Sequence, residues 1–180
     1  MTYKIFIPRD SSSISLGADK VYNEILKESQ QRNIDINIIR NGSRGLFWLE
    51  PMIEVEVGKE RVAYGPISVA DVASLFESKF YLGNKHHLFL GITENMAWLK
   101  NQERLTYARV GITDPLSIED YEKYDGFKGL KKSLKLSSEK IVQEITDSGL
   151  RGRGGAAFPT GIKWKTVLDA PSEKKYIVCN

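Results

Sequence analysis

The sequence predicts an α/β fold in two parts. Three observations predict it. Strand-like and helix-like apolar spacing alternate over residues 1–80. Two amphipathic stretches bracket a glycine-rich loop at residues 149–161. The charge balance changes sign between the first region and the second.

The elements follow in order. Residues 3–7 (Tyr-Lys-Ile-Phe-Ile) read as a strand. Asp19 to Ser29 reads as a helix with Val21, Tyr22, Ile25 and Leu26 on one face. Ile34, Ile36 and Ile38 alternate and predict a second strand. Ile53, Val55 and Val57 alternate with Glu54 and Glu56, and Gly58-Lys-Glu60 turns the chain into Arg61-Val-Ala-Tyr64. That pattern predicts a hairpin with one solvated face. Ser68-Val-Ala-Asp71 reads as a capping box with Asp in the position usual for Glu. It opens a helix with Val69, Val72, Ala73, Phe76 and Phe80 inward. Strand, helix, strand, hairpin, helix is the plan of a thioredoxin-like domain over residues 1–80.

Residues 81–90 read as a linker, part of a linker-and-helix segment 81–118. His86 and His87 are adjacent, so on a strand they point to opposite faces. They read as surface residues, not metal ligands. Glu94 to Arg109 reads as helical, Asp114-Pro115 breaks it, and Ser117-Ile-Glu-Asp120 caps a short helix. Residues 119–180 form the second region. In it, helices are predicted at 138–148 and 160–170, and Lys175-Tyr-Ile-Val-Cys179 reads as a buried strand.

Composition narrows the class. Of 180 residues, 41% are hydrophobic and 27% charged, as in ordinary soluble globular proteins. No apolar run approaches membrane-spanning length. The first residues go straight into a strand pattern, with no signal peptide visible. The single cysteine, Cys179, excludes an internal disulfide and a cysteine-ligated iron–sulfur or zinc site built by this chain alone. A reducing cytoplasm is the expected location. Net charge is +3, but residues 128–165 carry nine Lys or Arg against three acidic residues, a local +6, leaving −3 elsewhere. A basic second part attracts anionic cofactors, although a solvated lysine-rich helix face accounts for Lys128 to Lys140.

The glycine-rich stretch runs Gly149-Leu-Arg-Gly-Arg-Gly-Gly-Ala-Ala-Phe-Pro-Thr-Gly-Ile-Lys-Trp164. Five glycines let backbone amides approach a phosphate closely, and Arg151, Arg153 and Lys163 add positive charge. Gly152 to Ala157 fits the G-x-G-x-x-G/A string. That fingerprint needs a preceding strand, whereas Ile141, Val142 and Ile145 space the preceding segment as a helix, ending at Gly149. A P-loop fails too: Gly155 to Gly161 is one residue too long, and Ile162 stands before Lys163. A nucleotide or flavin phosphate site, a structural loop and a short arginine–glycine tract for RNA stay open on these residues alone.

The same stretch, followed by Tyr176-Ile-Val-Cys-Asn180, resembles the flavin subunit of respiratory complex I and its relatives. Gln102-Glu-Arg-Leu-Thr-Tyr-Ala-Arg-Val-Gly-Ile-Thr-Asp-Pro115 and Gly126-Phe-Lys-Gly-Leu-Lys-Lys132 narrow the resemblance to the β subunit of soluble NAD-dependent, molybdenum-containing formate dehydrogenase. The fold it implies is a thioredoxin-like domain followed by the start of an FMN-binding α/β domain. The cofactors it implies are FMN and NAD. Gly152, Arg153, Gly154, Lys163 and Asn180 are expected to contact FMN. Gly155, Ala156 and Phe158 are expected to border NADH, with Phe158 as an aromatic platform. Trp164 is expected in the core. The partners implied are a molybdenum-containing α subunit and a two-iron γ subunit, with no nucleic acid. A diaphorase subunit of an NAD-reducing hydrogenase and a non-catalytic thioredoxin-like assembly module are the alternatives.

Two departures shape the expectation. Related subunits carry four cysteines in the thioredoxin-like domain for a two-iron cluster. The corresponding positions are Pro8, Ser13, Ser43 and Phe47, so this domain is expected to be cluster-free. Relatives also continue past Asn180 with an acidic stretch that completes the flavin site, and then with a domain holding a four-iron cluster. The chain is therefore expected to be an N-terminal portion, inactive alone.

Overall fold

A computed structural model describes residues 2–178. The chain divides into two compact units, residues 1–124 and 125–180.

The first unit is built on a five-stranded sheet in the order β2-β1-β3-β4-β5. Its elements are β1 (Tyr3–Pro8), α1 (Ser11–Ser15), α2 (Ala18–Gln31), β2 (Ile36–Asn41), β3 (Ile53–Val57), β4 (Glu60–Tyr64), α3 (Val72–Glu77), β5 (Phe89–Ile92), α4 (Ala97–Lys100) and α5 (Ile118–Lys123). β1 and β2 run parallel, so a crossover must join them, and α1 and α2 supply it. The other neighbouring pairs are antiparallel. A parallel β1–β2 pair with an antiparallel hairpin beside β1 is the thioredoxin-like arrangement. Ile5, Ile7, Ile53 and Val55 meet Val21 and Ile25 of α2 and Leu75 and Phe76 of α3 in one core. The Ser68–Asp71 capping box forms as read.

Four readings need correction. The expected solvated face of the hairpin is covered at Glu54, which is 2% exposed, while Glu56 on the same face stays exposed. Opposite Phe6 in the ladder, the Glu54 carboxylate accepts from Arg44 Nη2 at 2.8 Å and Arg61 Nη1 at 3.1 Å. Arg61 and Asn41 also both donate to the Gly111 carbonyl, at 2.9 and 2.8 Å, so a later segment closes over this face. Strand alternation cannot reveal a cover supplied from 50 residues away.

The second correction concerns 81–109. Residues 89–92 form the edge strand β5, paired with β4 from Val62 to Tyr64, where a linker was expected. Only Ala97–Lys100 is α-helical within 94–109. Gln102 Nε2 donates to the Trp98 carbonyl and Arg104 Nη2 donates to Glu94 and the Leu99 carbonyl. These side chains satisfy the carbonyls that another turn would have used. His86 and His87 do not take opposite faces either: they lie before β5, with ring centroids 4.1 Å apart, and His86 Nε2 is 3.0 Å from Ser74 Oγ. Among the described residues no group of three or more His, Cys, Asp or Glu is placed to hold a metal ion.

The third concerns the helix after Ser68. It starts as a 3-10 turn, Val69–Asp71, before α3. The tighter turn shifts the phase, exposing Val69 and Ala73 and burying Leu75 in their place. The fourth concerns residues 175–178, which are exposed and outside any strand, with Ile177 at 97%. A strand needs a ladder partner, and none lies beside them among the described residues. Cys179 falls outside those residues.

The second unit contains α6 (Lys128–Ser133), α7 (Ser138–Asp147) and α8 (Thr160–Asp169). Ser137 caps α7 by accepting from the Lys140 amide. No helix among the described residues is long and apolar enough to cross a membrane.

Glu54→Ala leaves the Arg44 guanidinium buried with only partial compensation. Removing one member of a buried charge group typically costs about 3–5 kcal/mol. Urea unfolding of Glu54→Ala should show a loss in that range, whereas Glu56→Ala, at the exposed Lys4 pair, should change stability by less than about 1 kcal/mol.

Candidate functional site

The glycine-rich stretch forms a closed loop between α7 and α8. Gly149 lies just past α7 with φ of +66°, the left-handed conformation suited to ending a helix. The loop ends are then tied twice: the Gly152 amide donates to the Phe158 carbonyl at 2.9 Å, and the Thr160 amide to the Leu150 carbonyl at 2.9 Å. Between these ties the chain bulges out over residues 153–157. Pro159 leads directly into α8, whose first residue is Thr160.

This arrangement offers hydrogen-bond donors to an anion. Among the described residues the amides of Gly154, Gly155 and Ala156 donate to no backbone carbonyl. A Cβ built on Gly154 or Gly155 meets nothing within 4 Å, so the space in front of the loop tip is open. Lys163, one turn into α8, holds Nζ 5.9 Å from the Phe158 ring centroid. Phe158 is 46% exposed, which offers an aromatic face beside the open amides. Free amides, a helix N-terminus and an ammonium group are groups of the kind that bind phosphates.

The structure sorts the expected site residues. Gly154 and Gly155 face open space, the Ala156 amide donates to no backbone carbonyl, and Lys163 stands near the exposed Phe158 ring. Gly152 takes part differently, because its amide is already used in closing the loop. Arg153 Nη1 turns back to the Arg151 carbonyl at 2.6 Å. Asn180 lies outside the described residues. Trp164, expected in the core, is 45% exposed within this unit.

One loop glycine serves packing instead. A Cβ on Gly161 would lie 2.3 Å from Thr146 Oγ1 and 2.7 Å from Thr146 Cα. Gly161 therefore lets α8 cross close to α7. A glycine in the first turn of a helix, where propensity disfavours it, was the available sequence signal.

One comparison with known proteins falls on this loop. Residues 145–180 match the family model described as the Nuo51 FMN-binding domain. That match covers the last 36 residues of the chain. The chain is 47% identical over 81 residues to the NADP-reducing hydrogenase subunit HndC of Solidesulfovibrio fructosivorans, covering 45% of this chain and 16% of that protein. It is 47% identical over 64 residues to an NADH-quinone oxidoreductase subunit of Aquifex aeolicus, covering 36% of this chain and 15% of that one. It is 53% identical over 51 residues to the NAD-reducing hydrogenase HoxS subunit alpha of Cupriavidus necator, covering 28% and 8%. The chain thus spans less than a fifth of the length of these curated relatives. Among solved structures, a thioredoxin-like [2Fe-2S] ferredoxin from Aquifex aeolicus aligns over 53% of this chain and 96% of that one. Its TM-score is 0.44 at 18% identity, which adds nothing to the topology.

The positions matched to cluster cysteines do not fit a cluster. Ser13, fully buried, donates from Oγ to Asp10 Oδ2 at 2.8 Å, and the Ser43 amide donates to the same oxygen at 2.9 Å. Ser43 Oγ donates to Glu50 Oε1 at 2.6 Å. Pro8 ends β1, and Phe47 is 56% exposed. No thiolate is present at any of the four, and both hydroxyls are engaged with carboxylates. Burial pushes the Glu50 carboxyl above the ordinary glutamate value, against hydrogen bonds from Ser43 and the Met52 amide that lower it.

A raised folded value means that the folded state binds the proton more tightly than the unfolded chain. Stability contributed by protonated Glu50 is full below the ordinary glutamate value and is lost as pH rises through the higher folded one. Melting of Glu50→Gln across that window should lack this decline. A decline of equal size in the variant would assign it to other groups. Gly161→Ala should destabilise the second unit by about 1–3 kcal/mol in thermal unfolding, because the Thr146 backbone cannot retreat within a packed helix pair.

Proposed function

We propose that the chain is the N-terminal part of an NADH-oxidising flavin subunit, with FMN held at the 152–163 loop. The observation that carries the reading is the set of open amides at Gly154, Gly155 and Ala156 beside the α8 N-terminus. The match of residues 145–180 to an FMN-binding family supports it.

In this reading the Gly154 amide and the Lys163 ammonium face the FMN phosphate, neutralising it with charge-assisted hydrogen bonds. Gly152 allows the flavin to approach the backbone, and Arg153 and Asn180 complete the contact. Gly155, Ala156 and Phe158 border the nicotinamide dinucleotide, Phe158 as an aromatic platform. When bound, the flavin supplies the exchange between a two-electron nicotinamide couple and one-electron carriers, and the protein's part is orientation and electrostatics. We place the FMN-binding domain within residues 119–180 and the thioredoxin-like domain at 1–80, with 81–118 between them. Any four-iron cluster belongs to sequence outside this chain.

The finer assignment is a formate dehydrogenase β subunit in the cytoplasm, partnered by a molybdenum-containing α subunit and a two-iron γ subunit. The residues 102–115 motif and the cysteine-free first domain support it. A diaphorase subunit of a hydrogenase or of complex I is the second reading, favoured by the relatives' names. Pulling down the protein from its source and assaying the complex for formate- against hydrogen-dependent NAD reduction separates the two.

Fluorescence quenching of FMN tests the site. Binding should be weak for this chain and tight for a chain completed with the remainder of the FMN-binding domain. Gly154→Leu adds a side chain to open space, so folding should be unchanged while FMN affinity falls at least about tenfold, or 1.4 kcal/mol. Unchanged affinity in that variant would remove the loop from the flavin site.

A further inference from the structure

Arg151 carries a charge next to a phosphate-type loop, yet its side chain is turned the other way. Its Nε donates to the Ala157 carbonyl at 2.7 Å, across the base of the bulge. Ala157 is held at φ of +49°, the left-handed region that a residue with a Cβ enters at a cost. Arg151 and Pro159 are also bridged as an antiparallel pair. The bond from Arg151 therefore spans the point where the chain is least willing to keep its conformation. The residue directly after Ala157 is Phe158, whose exposed ring and 5.9 Å approach to Lys163 depend on the direction in which Ala157 delivers the chain.

We propose that Arg151 is a positioning residue, a brace that holds Ala157 left-handed and so sets Phe158 and the open amides, rather than a ligand of the anion. Its functional half rests on the flavin reading above; its conformational half does not. The brace needs an N–H at the fourth atom beyond Cα and needs no charge. Glutamine places Nε2 at that atom, methionine places none, and the two substitutions therefore separate donor from charge.

The test has two readouts. Ala157 Cα and Cβ chemical shifts in the unliganded chain report its φ. FMN and riboflavin affinities of the full-length protein report whether a loss is specific to the phosphate. Arg151→Gln should keep the left-handed shifts of Ala157 and the preference for FMN over riboflavin. Arg151→Met should lose the left-handed shifts and weaken FMN and riboflavin by the same factor, on the order of tenfold for one hydrogen bond. The proposal is overturned if Arg151→Met leaves the Ala157 shifts unchanged. It is equally overturned if Arg151→Gln and Arg151→Met lose FMN affinity alike while riboflavin is unaffected, the signature of a phosphate contact. If the wild-type protein binds neither flavin, the FMN reading fails, and the Ala157 shifts still decide the brace.

Discussion

The first unit depends on one buried carboxylate. Glu54 sits in the middle of β3 with almost no exposure, and a lone charge there would be untenable. Arg44 pairs with its Oε1 and Arg61 with its Oε2. Arg44 in turn reaches Glu94, and Arg61 lies 3.5 Å above the Phe6 ring. Satisfying this group fixes the 42–45 turn, the 109–114 segment and the face of the sheet together. Gly111 shows how tight the closure is: a Cβ there would lie 2.1 Å from Arg44 Cδ, on a backbone already at φ of +71°. The ion network is thus a constraint on conformation more than a source of stability, since the desolvation of three charged groups offsets much of their attraction.

The loops at the positions expected to lack cluster ligands are held by polar contacts instead. A bound metal cluster ties loops together through its ligands. In this chain Asp10, Ser13, Ser43 and Glu50 tie the loop after β1 to the loop after β2 by hydrogen bonds instead. The adjoining Arg44 carries the same loop down to Glu54. Both hydroxyls at these positions are engaged with carboxylates rather than exposed as donors.

The second unit works by a different division of labour. Its glycines look alike in the sequence but act differently. Gly149 ends a helix, Gly152 closes a loop, Gly154 and Gly155 leave space open, and Gly161 lets two helices touch. Anion binding of the kind proposed uses only the third role directly. The other three fix where the open amides and the α8 N-terminus stand. The basic residues divide in the same way, with Lys163 near the aromatic rim and Arg151 engaged with backbone.

The sequence by itself determined the strand–helix–strand–hairpin–helix order, because burial on one face writes a period of two or 3.6 into a short stretch of residues. It also determined both helix caps at Ser68 and Ser117 and the helix–loop–helix setting of the glycines, because capping and helix spacing are local. Only the tertiary structure decided that Glu54 is buried, that residues 89–92 are a strand, that 101–109 leave the helix, and that Gly161 is a packing contact while Gly154 is open. Each of these turns on a partner distant in sequence: the Gly111 carbonyl over β3 and β4, β4 beside β5, Glu94 reaching Arg104, Thr146 under α8. A local pattern records which face is apolar, but it does not record what arrives later to cover the other one.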